Sequence, residues 1–350
     1  MRALGWFWAV VLLALAGGAG TLQWLGPPRA PAQQQAMAAN PATAAPKEAV
    51  APTAGLEPAA DAAIAAAVPG AIQPPDPALL EPSTTFPGGV LPRIGAGGRM
   101  AMHVYAALAE PPDARPRVAL LLSGIGMSET DSIEAIRTTP PAVSLAVSPY
   151  AFHPERLLAE ARAAGHEMLV SLPLEPDRYP IDDSGNRSLL TGNAPALNEQ
   201  RLEWALTRFA GYVGATGALN GMRGERFGGA SELMAPVLHE LAARGVLYID
   251  PRPAAPAPPF AAGRSVDVVV DEPAVRTEIE ANLARLEQVA RDRGAALGLV
   301  GMPRPVTLDR IAAWAATLGS RGLVLVPVSA LARPAAPPPA PRQTAEKQAG

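Results

Sequence analysis

The chain has 350 residues, no cysteine, a formal net charge of −3, and 40 prolines and 32 glycines. A near-neutral balance with no basic cluster excludes nucleic acid as the natural partner, and the lack of cysteine excludes disulfides and thiolate metal sites. The prolines concentrate at the two ends, which predicts one globular domain between low-complexity flanks.

The first element is an uncharged run from Leu4 to Leu25, about 22 residues and long enough to cross a bilayer. Arg2 precedes it, and Trp6, Trp8 and Trp24 lie near its ends. The positive-inside rule and the interfacial preference of indole then predict an inner-membrane anchor with everything downstream in the periplasm. The small residues Ala16–Gly20 keep a cleaved signal segment open as the alternative, and either reading exports the rest. Residues 26–114 are rich in Ala and Pro and predict a disordered tether, with Met100–Leu108 as an arm packed on the domain through Tyr105. His103, at the edge of that arm, reads as a surface histidine.

The domain is expected over residues 115–332. Val118–Leu122 reads as a buried strand, followed by Ser123-Gly124-Ile125-Gly126 and a helix over Ser128–Arg137. Val143–Val147 is a second strand, Pro154–Ala164 a helix closed by Gly165, and His166–Leu172 a third strand stopped by Pro173. A polar loop over 177–196 leads to a helix at Asn198–Phe209, a glycine-rich strand at Val213–Leu219, a helix at Ser231–Arg244 and a strand at Val246–Asp250. Val266–Val270, a helix over Pro273–Arg293, Ala296–Val300, a helix over Thr307–Leu318 and Leu323–Val328 complete the set. Residues 333–350 are again Ala- and Pro-rich and predict a disordered tail. About eight strands alternating with six helices predict a closed or nearly closed parallel barrel, with an open doubly wound sheet as the alternative.

Several short motifs fall in an order that resembles the divergent polysaccharide deacetylase family. Gly165-His166-Glu167 followed by Ser171-Leu172-Pro173-Leu174-Glu175-Pro176 is similar to the family's Gly-His-Glu and His-Leu-Pro-Met-Glu-Pro. Asn220-Gly221-Met222 stands where the family has Asn-His-Met, and Asp250-Pro251-Arg252 where it has Asp-Ser-Arg. Asp267 and Asp271 keep the family's spaced pair, and Gly301-Met302-Pro303 replaces a Gly-His-Pro. The resemblance implies a distorted seven-stranded β/α barrel, a glycan as partner, and metal-dependent removal of N-acyl groups in the active relatives.

The same resemblance places the metal and its water on an aspartate after the first strand and on histidines of the second and third motifs. Here those positions are Ser123, Ser171 and Gly221. Zinc takes nitrogen, thiolate or carboxylate donors, so this substitution predicts no metal, no cofactor and a glycan-binding protein; the alternative is an active hydrolase with substitute ligands. The remaining candidates for a cleft at the strand ends are Glu175, Asp250, Arg252 and Asn220, with Glu225 behind them. Asp250 with Arg252 also reads as a buried ion pair, and Glu175 as a carboxylate that satisfies loop amides. Two carboxylates flanking a sugar would permit glycoside hydrolysis only at a spacing that sequence does not supply. Gly124-Ile125-Gly126 lacks the third glycine and the acidic partner of a dinucleotide turn, and neither serine lies in a nucleophile elbow. Of the four histidines, His103, His153, His166 and His239, only His166 belongs to a motif, at the end of its strand away from the site.

Overall fold

In the computed structural model, which describes residues 70–109 and 114–334, the chain begins with a short antiparallel hairpin, β1 (Leu80–Pro82) on β2 (Val90–Pro92). One helical turn follows, α1 (Ala101–Val104). The barrel starts at β3 (Arg117–Ile125), nine residues buried everywhere but the first, as expected for a strand covered on both faces. Ser128 then caps α2 (Glu129–Thr138), its hydroxyl accepting from the Asp131 N–H at 3.3 Å, with Glu129 and Asp131 in the first turn. Next come β4 (Ser144–Val147), α3 (Glu155–Ala163) and β5 (Met168–Ser171).

After a loop, α4 (Pro195–Leu206) opens on a proline, whose fixed φ and missing N–H suit a first helical turn. That moves the helix three residues N-terminal of the predicted one. There follow β6 (Gly214–Thr216), α5 (Glu225–Gly229), α6 (Ser231–Ala243) and β7 (Leu247–Asp250). The chain ends with β8 (Gly263–Ser265), β9 (Val268–Val269), α7 (Arg276–Arg293), β10 (Ala295–Val300), α8 (Pro305–Ala316) and β11 (Val324–Leu325).

The strand order is β8-β7-β6-β5-β4-β3-β10-β9, parallel throughout. Its two outer members, β8 and β9, are consecutive pieces of one segment separated by Val266 and Asp267. The Val266 N–H donates to the Asp250 carbonyl on β7 at 2.9 Å, and the Asp267 N–H to the Leu297 carbonyl on β10 at 2.8 Å. The sheet therefore closes on itself with seven staves, β8 and β9 forming one interrupted stave, which excludes the open doubly wound sheet. Distortion enters at β3, where β11 pairs with Arg117 and Val118, β4 pairs from Leu121 onward, and the register shifts between Leu122 and Ile125.

The His166-Glu167 pair lies at the amino end of β5, remote from the carboxyl ends. The His166 ring nitrogens face the carbonyls of Val143 and Ile136 at 2.8 and 3.0 Å. Glu167, fully buried, accepts from the Ser144 hydroxyl (2.8 Å), the Ser329 N–H (2.9 Å), the Ser329 hydroxyl (2.5 Å) and the Ala107 N–H (3.1 Å). Loss of water raises its carboxyl above the ordinary range, in part offset by these hydrogen bonds.

Residues 70–109 correct the expectation of a tether reaching to 114. Ile72, Leu79 and Leu91 join the core with Ala101, Tyr105 and Ala107. The Ile72 N–H donates to the Arg162 carbonyl (2.9 Å), and the Arg244 guanidinium joins Glu81 and the Pro92 carbonyl at 2.8 and 3.0 Å. Tyr105 is buried, its hydroxyl accepting from the Asp76 N–H at 2.7 Å, while His103 is exposed. Composition averaged over this stretch hides a few apolar anchors spaced widely enough to pin an irregular chain. Arg333, expected in the tail, exchanges both backbone hydrogen bonds with Gly263. The expected span at 4–25, the tether over 26–69 and the tail beyond Pro334 lie outside the described residues. Among the described residues no helix is long and apolar enough to cross a membrane.

Leu79 is wholly buried although it precedes the predicted domain. Leu79→Ala is expected to lower unfolding free energy by about 2–5 kcal/mol, whereas Ile94→Ala, at a largely exposed side chain, changes it by less than about 0.5 kcal/mol. Urea titration of both variants measures this, and an unchanged midpoint for Leu79→Ala would return the segment to a tether.

Candidate functional site at the carboxyl ends of the strands

The carboxyl ends of β3, β6, β9 and β10 surround a cavity of about 160 Å³ lined by Ser123, Gly221, Arg223, Asp271, Met302 and Arg304, among others. In a parallel β/α barrel this end is where loops gather side chains into sites. Ser123 is 1% exposed and its hydroxyl has no hydrogen-bond partner. Asp271, just beyond β9, accepts from the Gly301 N–H at 2.7 Å and the Met302 N–H at 3.4 Å, with the Arg304 guanidinium 3.9 Å away. Burial raises its carboxyl, partly countered by those two amides and by Arg304.

Gly221 sits in the turn after β6 at φ +84, its N–H donating to the Gly301 carbonyl at 3.1 Å. A Cβ added at that position would meet nothing within 4 Å, although its φ disfavours any side chain. Asn220 beside it is also in the left-handed region, at φ +49, and its Oδ1 is buried without a partner. Arg223 bridges the mouth, bonded to Glu225 at 3.1 Å and to Glu272 at 2.5 Å, which ties the loop after β6 to the loop after β9.

The structure brings Ser123, Gly221 and Asp271 together and leaves most of the predicted cleft residues elsewhere. Ser171 ends β5 fully buried, with an unpartnered hydroxyl, and does not line the cavity. Asp250 and Arg252 form a closed pair: Oδ1 accepts from the Arg252 N–H and Nε–H at 3.0 Å each, and Oδ2 from Nη2 at 2.6 Å. Glu175 accepts from the Thr191 N–H (2.5 Å), the Thr191 hydroxyl (2.8 Å) and Arg226 (2.9 Å), pinning the loop over 177–194 to α5. Burial pushes the Glu175 carboxyl up, but Thr191 and Arg226 outweigh it and hold it below the ordinary value. Both residues are thus spent on structure, and the pair reading offered by sequence is the one observed. Asp267 and Asp271 lie at opposite ends of β9. Asp267 accepts from Arg264 and the Leu297 N–H at 2.9 and 2.8 Å and takes no part in the cavity.

Sequence reasoning missed Arg223, Glu272 and Arg304. Each lies within two residues of a family motif position, and a charged side chain in a loop that directly follows a strand was the available signal.

Zinc does not fit this mouth. Of the positions that would supply its donors, the two at the cavity present an unpartnered hydroxyl (Ser123) and a glycine (Gly221), and the third, Ser171, is a hydroxyl buried outside it. Among the described residues no group of three or more His, Cys, Asp or Glu side chains is placed to hold an ion.

Residues 120–332 match the divergent polysaccharide deacetylase family. This chain belongs to that family. Among solved structures, an uncharacterized protein, ATU2773, from Agrobacterium tumefaciens C58 is 32% identical with a TM-score of 0.64, covering 69% of this chain and 99% of that one. Two more distant structures are also similar. One is the catalytic domain of a peptidoglycan N-acetylglucosamine deacetylase from Eubacterium rectale ATCC 33656, at 12% identity and a TM-score of 0.37, covering 63% of this chain and 92% of that one. The other is a family 4 carbohydrate esterase from Streptomyces lividans in complex with acetate, at 15% and 0.38, covering 65% and 100%. At that distance neither assigns an activity to this chain. No curated protein matches it.

The lowered Glu175 carboxyl makes a pH prediction. A folded-state pKa below the unfolded value, ordinarily about 4.3, contributes stability that is fully present above that value and is lost as pH falls through the folded one. Glu175→Gln should therefore be less stable than the parent at pH 7, and the gap should shrink toward pH 3. Thermal melts across that range test it; a gap that widens on acidification would contradict the assignment.

Proposed function

We propose that this protein is an exported glycan-binding member of its family in which the family's metal chemistry has been lost. The observation that carries the reading lies at this end of the barrel: Ser123 and Gly221 at the cavity, and Ser171 buried outside it, stand where the family's metal donors are expected. What the mouth does offer suits a neutral polyol. The Ser123 hydroxyl both donates and accepts, the Asp271 carboxylate accepts, and the guanidiniums of Arg223 and Arg304 donate. The four charged side chains at the wall balance, so no net charge selects an ion.

A second reading, an active N-acyl hydrolase, draws on Asp271 and Glu272, two carboxylates at one cavity. Mg²⁺ or Ca²⁺ accepts oxygen donors alone, and such an ion would supply the Lewis acid that hydrolysis requires. The number of oxygen donors in reach is small for either ion, so binding without catalysis is the better-supported function.

Elemental analysis of the purified protein should find no stoichiometric zinc, and no acetate should be released from N-acetylated glycans above background. Ser123→Asp and Gly221→His combined, beside Asp271 at the same cavity, should create measurable zinc affinity, although histidine at a φ of +84 carries a strain of roughly 1–3 kcal/mol. Tight zinc binding by the unmodified protein, abolished by Asp271→Ala, would restore the hydrolase reading.

Residues 4–25 are proposed to tether the domain to the inner membrane from the periplasmic side. The full chain should sediment with membranes after a high-salt wash, and a chain beginning at Gly70 should not. Recovery of the full chain in the soluble periplasm would favour cleavage of a signal segment.

A further inference from the structure

Among the described residues Phe152 is the most exposed large apolar side chain, at 88%. Single exposed apolar residues are ordinary, but the setting of this one is not. It sits in the loop after β4, and β4 neighbours β3, the strand that ends at the cavity. The loop is held in place. The Ala151 N–H donates to the Ser148 carbonyl at 3.1 Å and the Tyr150 N–H to the Ser148 hydroxyl at 3.2 Å. Ala151 packs so closely on Gly126 that a Cβ there would come within 2.6 Å of the Ala151 Cβ. The next residue, His153, is a non-glycine at φ +48, and its ring meets the Phe152 ring edge-on at 4.2 Å between centroids.

A left-handed backbone and a solvated phenyl ring both work against folding, the first by about 1–3 kcal/mol. A fixed loop that presents an aromatic face beside the mouth has a reason to exist if something lies on that face. The size of the cavity says what. At about 160 Å³ it is smaller than the roughly 300–1,000 Å³ of pockets that bury a whole ligand. It admits one small unit, and any further part of a bound molecule has to run over the rim. Ser123 and Gly126 are three residues apart, at most about 11 Å of chain; Gly126 touches Ala151, and Phe152 follows. The ring is thus a few sugar units from the cavity.

We infer that Phe152 is the stacking platform for a distal sugar, so that the mouth takes the end of a glycan chain: one unit in the cavity, a later one on the ring. This rests on the glycan-binding reading above. A pyranose presents a face of C–H groups carrying partial positive charge, and the phenyl face carries partial negative charge. The edge contact from His153 keeps the ring oriented and leaves its exposed face free.

The test uses the purified full chain and N-acetylglucosamine oligomers of one to five units, with ligand-observed NMR for the monomer and calorimetry for the longer chains. Affinity should rise with length until the chain reaches the ring. Phe152→Ala should weaken the longest oligomer roughly tenfold, leave the monomer unchanged and leave the melting temperature unchanged. Phe152→Trp should restore the long-chain affinity and Phe152→Leu should not. Equal affinity of parent and Phe152→Ala for every length, or full rescue by leucine, overturns the platform while the glycan reading stands. Failure of the parent to bind any oligomer removes both.

Discussion

The carboxylate of Glu167 sits without water at the amino end of the barrel and takes four hydrogen bonds from three different parts of the chain. Ser144 belongs to the neighbouring stave, Ala107 to the segment that precedes the barrel, and Ser329 to the turn that follows the last strand. An unpaired carboxylate there would be costly, so folding must bring all three donors in together. Ser144 extends the network by accepting from the Val328 N–H at 3.0 Å. The knot seals one end of the barrel and couples residues 70–109 and the C-terminal turn to the sheet. The opposite end is where the loops after β3, β6, β9 and β10 surround the cavity described above.

That opposite end keeps the family's frame with different residue types at several motif positions. The turn after β6 still brings Gly221 against Gly301, and Asp271 still grips the backbone beyond β10. The loops there are joined by protein groups: Arg223 to Glu272 across the mouth, and Asp271 to the Gly301 and Met302 amides. Ser123 at the cavity wall and Asn220 beside Gly221 keep buried, unpartnered oxygens.

How much of this was legible in the sequence depends on the range of the interaction involved. Buried strands announce themselves as unbroken apolar runs, so β3, β5 and β10 were located closely, and the alternation of strand and helix gave the barrel. The motif substitutions at Ser123, Ser171 and Gly221 were readable because each is a local change in residue type. The ion pair of Asp250 with Arg252 was readable too, because two residues of separation bring the groups together whatever the fold.

What lay beyond sequence was set by contacts between distant residues. Leu79 and Leu91 are unremarkable in an Ala- and Pro-rich stretch, and only docking on the barrel makes them core, whereas Tyr105 was legible as an anchor. The spaced aspartates keep the family's pair in sequence, yet β9 runs between them and sends them to opposite ends. Arg223 meets Glu272 across 49 positions, and Phe152 gains its place beside the mouth only because β4 lies next to β3. Residue type and local periodicity determined the elements, the family and which residue types stand at its motif positions. Closure of the sheet, which places side chains from remote staves around one opening, decided which of those residues share a cavity and which are merely structure.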